Sequence, residues 1–188
     1  MHRTTGRTGR HLKLLVYIAA ASVTGSAAGG TLAWIGSSLT AEARFALTSG
    51  LAVLATGVGF LELVGRPVPL VERDQETPYR WVKGGPLSWA ARNGAALGIG
   101  MTSRIGFPLW YVVPLGSFVS GSLAVGGATY GLYALARSTG AAGVLFATRK
   151  GSADRTTFQL IRRGALARRV AAAQLTMVGA VTCIFVGV

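Results

Sequence analysis

A single cysteine, Cys183, stands in this chain of 188 residues, so no intramolecular disulfide can form. The same scarcity excludes redox exchange through a cysteine pair and every multi-cysteine metal site. The two histidines, His2 and His11, both precede the first long apolar stretch, which leaves no His pair inside the apolar part of the chain to hold haem or metal. Acidic residues number only six. With so few carboxylates, no nucleophile, base and orienting group gather at one depth. The chain is therefore expected to be no enzyme and to need no cofactor and no metal.

What is abundant is apolar. Hydrophobic residues make up 51% of the chain, the mean hydropathy is +0.47 and charged residues reach only 13%. A soluble domain of this size carries more polar surface than that, so the bilayer is the expected solvent. The net charge of +13 raises nucleic acid as a partner. However, the basic residues cluster at the ends of apolar stretches with no aromatic-basic platform, which suits anionic lipid headgroups at a cytoplasmic face and not nucleic acid.

The expected fold class is all-α: a polytopic transmembrane helix bundle of about five spans, with four to six as the range. The spans fall near 14–39, 45–65, 87–106, 118–136 and 170–188, all within one transmembrane domain. The first follows Arg3, Arg7, Arg10, His11 and Lys13, the layout of a signal peptide or a first membrane helix. Ser26-Ala27-Ala28 resembles a cleavage site, but apolar character continues through Leu32, Trp34 and Ile35, which favours a retained helix. Loops are expected near 66–86 and 137–169, and a broken or re-entrant region near 104–117, where Pro108 and Pro114 punctuate a long apolar tract. Within the second loop, Thr156 to Arg169 reads as an amphipathic helix on the membrane surface, and the apolar piece Ala141 to Thr148 is too short to span unless it joins the helix before it.

Charge sets the expected orientation. With the N-terminus cytoplasmic, four basic residues precede the first span, five lie between Arg66 and Arg92 and eight between Arg137 and Arg169. Only Arg44 and Arg104 of the 19 remain outside. The C-terminus is then external.

Three polar residues stand out as candidates for holding a solute: Arg104, Glu62 and Asn93. Glu62 is the one carboxylate within a span, although an i,i+4 pair with Arg66 accounts for it without function. Arg104 lies among Gly98, Gly100, Gly106 and Pro108, residues that let a helix break and expose backbone dipoles, and the alternative is an interfacial arginine at a helix end. Gly94 and Gly98 in the third span, and Gly127 and Gly131 in the fourth, repeat a GxxxG spacing, from which close packing of those two spans is expected.

From Phe45 onward the order of features resembles the transmembrane domain of the CcdA/DsbD-like proteins, in the broader LysE-type transporter superfamily. The residues that carry the likeness are Gly65-Arg66-Pro67-Val68-Pro69-Leu70 closing a glycine-rich span, a polar loop, and Gly94-Ala95-Ala96-Leu97-Gly98-Ile99-Gly100 running into a proline-containing break. In that family the break carries a cysteine beside a proline; here Arg104 to Pro108 has none, so thiol transfer does not carry over. The resemblance implies a small bundle with broken helices and transporter-like ancestry. The expected function is an inner-membrane protein that handles a small, anionic solute, with a non-catalytic membrane subunit as the alternative. The expected partners are the anionic lipid headgroups and either a second copy or another membrane protein.

Overall fold

The computed structural model describes residues 7–66, 68–69, 85–100, 108–147 and 153–187. Among the described residues all regular structure is helical: α1 (Arg7–Gly36), α2 (Ala41–Leu63), α3 (Pro86–Ile99), α4 (Leu109–Ser120), α5 (Leu123–Ala147) and α6 (Ala153–Val186). Among the described residues two stretches, His11–Gly36 and Ala41–Leu63, are long and apolar enough to cross a membrane.

Local chemistry sets the helix ends. The Ala43 amide donates to the Thr40 hydroxyl at 3.2 Å, and Glu42 complements the positive end of the helix dipole, so α2 begins four residues earlier than its apolar run. Pro86 opens α3 and Gly100, at φ 80°, closes it in the left-handed conformation. Gly100→Ala is expected to cost about 1–2 kcal/mol for that backbone alone, and more because the Trp110 ring lies against the Gly100 Cα. An unchanged unfolding midpoint in detergent would remove this claim.

Several boundaries differ from those expected. Pro114 does not break a helix: it lies inside α4, where its ring removes one amide donor and the helix continues. The interruption comes at Gly121, at φ 58°, so residues 118–120 end α4 and do not begin the fourth span. Pro108 stands at the N-cap of α4. The expected loop 137–169 is largely helix. α5 runs on through Arg137 to Ala147, taking in most of the short apolar piece, and α6 joins the basic segment to the last apolar stretch over 34 residues.

α1 is the hub. Ala21, Gly25, Gly29 and Ala33 recur every four residues and form a stripe of small, buried residues down one face. On one side Gly94 rests against Tyr17 and Ala20, Gly98 rests against Ala21 and Thr24, and the Thr24 hydroxyl donates to the Ala95 carbonyl at 3.1 Å. These contacts make α3 parallel to α1. On the other side Gly126 meets Gly29 and Ala33, Gly127 meets Ser26, and Gly131 meets Ser22 and Ser26, which makes α5 antiparallel. The two glycine pairs therefore face α1 and not each other. The expected packing of the third span on the fourth is replaced by packing of both on the first, because α1 offers its own small-residue stripe.

α2 and α6 form a second antiparallel pair through Gly59 against Ala172 and Thr176, and Gly179 against Ala52 and Thr56. α4 touches both groups. Its Trp110 lies beside Gly100 and its Phe118 beside Gly36, so α4 continues in the direction of α3 after the interruption.

Candidate functional site

Where α4 stands between α2 and α6 it leaves a cavity of about 310 Å³. Arg44, in the first turns of α2, closes one end of it. Its guanidinium lies against the Gly121 Cα, at the C-terminal end of α4, where a cation meets the negative end of the helix dipole. That placement leaves the Arg44 Nε–H buried and without an acceptor. Thr48, Ser120 and Thr182 also line the cavity. Each hydroxyl donates at 2.7 Å to a carbonyl of its own helix, those of Arg44, Ser117 and Val178 respectively. Arg44 is thus the strong donor of this end, and the hydroxyl oxygens offer only lone pairs.

Leu51, Ala55 and Val112 are shared with an adjoining cavity of about 240 Å³, which reaches Val58, Leu115 and Pro108 and is apolar but for Tyr111 on its wall. Together the two form one groove along α2 and α4, basic at the Arg44 end and greasy toward the start of α4.

That start lies beside the interruption between α3 and α4. The buried Trp110 Nε1–H has no acceptor, and the Tyr130 hydroxyl, from α5, donates to the Ile99 carbonyl at 3.2 Å, satisfying one orphan carbonyl at the end of α3. A second arginine is enclosed on α5: Arg137 is half-buried beside Tyr17, Tyr130 and Tyr133, and one of its terminal nitrogens is buried with no acceptor.

The residues singled out in the sequence are scattered. Arg104 lies outside the described residues. Glu62 is half-buried in the last turn of α2, and among the described residues it makes no ion pair with the exposed Arg66. Asn93 is half-buried on α3 and donates to the Trp89 carbonyl at 2.9 Å. Neither Glu62 nor Asn93 lines the groove. Pro108 does line it, and the four glycines build the α1 interfaces instead. Arg44 and Arg137 were missed as site residues. The available signal was that each is a permanent charge adjoining a long apolar run, and a guanidinium there must be solvated, paired or bound. No family model, curated protein or solved structure matches the chain.

Proposed function

We propose that the chain is a five-crossing protein of the inner membrane, transporter-like in build, that binds a small anionic solute from the groove between α2, α4 and α6. The carrying observation is the interrupted pair of α3 and α4. Gly98 lies beside Gly25, near the middle of the apolar part of α1, so α3 ends and α4 begins about halfway along that helix. Two half-helices in one direction count as a single crossing. With α1, α2, α5 and α6 the number is five, and the ends fall on opposite sides.

Three features support this reading. Large apolar side chains face outward on several helices, among them Trp34 at 67%, Leu54 at 66%, Leu132 at 65% and Met177 at 70% exposure, a surface suited to lipid. Irregular backbone at membrane depth is tolerated where it lines a cavity, and the ends of half-helices offer dipoles to ions and substrates. The basic residues also divide as a cytoplasmic N-terminus requires. The resemblance to the LysE-type superfamily points the same way.

The test is anion flux in reconstituted vesicles, measured with a panel of carboxylates and phosphate esters. A saturable signal is expected for the wild type, abolished by Arg44→Gln and weakened by Arg44→Lys, which keeps the charge but loses the planar fork. Vesicles indistinguishable from protein-free ones would favour the alternative, a non-catalytic subunit. Full activity in both variants would make Arg44 only a cap on the end of α4.

A further inference from the structure

We propose that the groove holds an anionic amphiphile, with a phosphate or carboxylate head on Arg44 and one hydrocarbon chain lying along α2 and α4 toward Pro108. This rests on the reading of the chain as a membrane bundle with an anion site, and it names the class of anion. Three observations carry it. The buried Arg44 Nε–H lacks an acceptor, and an arginine fork suits the paired oxygens of a phosphate or carboxylate. The three hydroxyls at that end already donate to their own helices, so a small hydrophilic anion would find one guanidinium and no second strong donor.

Beyond Arg44 the groove is walled by Leu51, Ala55, Val58, Val112 and Leu115, which repel a polar solute and favour a chain. The fourteen steps along α2 from Arg44 to Val58 rise about 21 Å at 1.5 Å each. That is somewhat more than one leaflet of a core about 30 Å thick. A head at the interface and a chain in the leaflet fit that length.

The experiment uses the purified full chain in a neutral detergent, with the unfolding midpoint followed against added phosphatidylglycerol, phosphatidylcholine and inorganic phosphate. Phosphatidylglycerol is expected to raise the midpoint saturably, with little effect from the other two. Arg44→Gln should weaken its apparent affinity about tenfold or more, the effect of one charge-assisted hydrogen bond, while Arg66→Gln, at an exposed arginine, should not. Val112→Trp fills the groove without touching the charge and should also weaken it, which keeps the claim testable if Arg44→Gln folds poorly.

Equal effects of phosphatidylglycerol and phosphatidylcholine would overturn the proposal, as would an unaltered response in both groove variants or an equal loss in Arg66→Gln. Stabilisation by inorganic phosphate equal to that by the lipid would also overturn it while leaving the anion reading intact. If no anion acts on the wild type, both fall.

Discussion

Gly98→Leu is expected to disrupt the bundle outright, giving far less folded protein in detergent than the wild type. A Cβ at Gly98 would collide with the Ala21 carbonyl and the Thr24 hydroxyl of α1. Both are fixed: one is helix backbone, and the other is held by its bonds to the Ala20 carbonyl at 2.7 Å and the Ala95 carbonyl at 3.1 Å. No flexible side chain can give way, so the helices must separate and lose the Thr24 bond and the contacts at Gly94. Overpacking of ordinary cores costs about 1–3 kcal/mol, and a backbone collision belongs at or above the upper end. Gly57→Leu is the proper comparison, because Gly57 is exposed on α2 with nothing within 4 Å. Gly187, just after α6, is unsuitable as a comparison since its φ of 77° penalises any side chain. Equal stability of the Gly98 and Gly57 variants would contradict the α1–α3 interface.

Arg137→Met is expected to act in the opposite direction, raising the unfolding midpoint. Arg137 keeps a buried terminal nitrogen without an acceptor among Tyr17, Tyr130 and Tyr133. An unsatisfied buried donor costs about 1–3 kcal/mol, and methionine removes both donor and charge while keeping an unbranched chain of apolar character. A gain of that size corresponds to roughly 2–12 °C for a chain of this length. Arg137→Ala should not show it, since truncation leaves a void between α1 and α5. A lower midpoint for Arg137→Met would mean that the hydrogen bond between the guanidinium and Tyr133 outweighs the unpaired nitrogen and that the residue is structural.

Much of the helical content was legible because long apolar runs report length directly: the first two stretches and α1 and α2 agree to within a few residues at most ends. The choice of partners was not. Ala21, Gly25, Gly29 and Ala33 are spaced as plainly as Gly94 and Gly98, but in a chain with 27 glycines one small-residue stripe looks like another, and only the packing shows that α1 serves both neighbours. Of the two prolines, Pro108 stands beside the first break and Pro114 breaks nothing, whereas Gly121 makes the second break through a positive φ that its neighbours in sequence do not announce. Arg44 escaped notice because its setting is made by the end of α4, about 75 positions along the chain. A charge after an apolar run ordinarily ends a span, which by sequence alone puts Arg137 in a loop. Here the tyrosines of α1 and α5 surround it and the helix continues.

The most direct measurement of the central claim is a set of truncation fusions to alkaline phosphatase, which is active only outside the cytoplasm, paired with a fluorescent reporter active only inside. Junctions after Arg66, Ser122, Lys150 and Val188 bracket the interrupted crossing and the two that follow it. The expected result is phosphatase activity at Ser122 and Val188 and fluorescence at Arg66 and Lys150, which makes α3 and α4 together one crossing. If Arg66 and Ser122 report the same side, the two half-helices do not cross, and the five-crossing architecture with its groove is wrong.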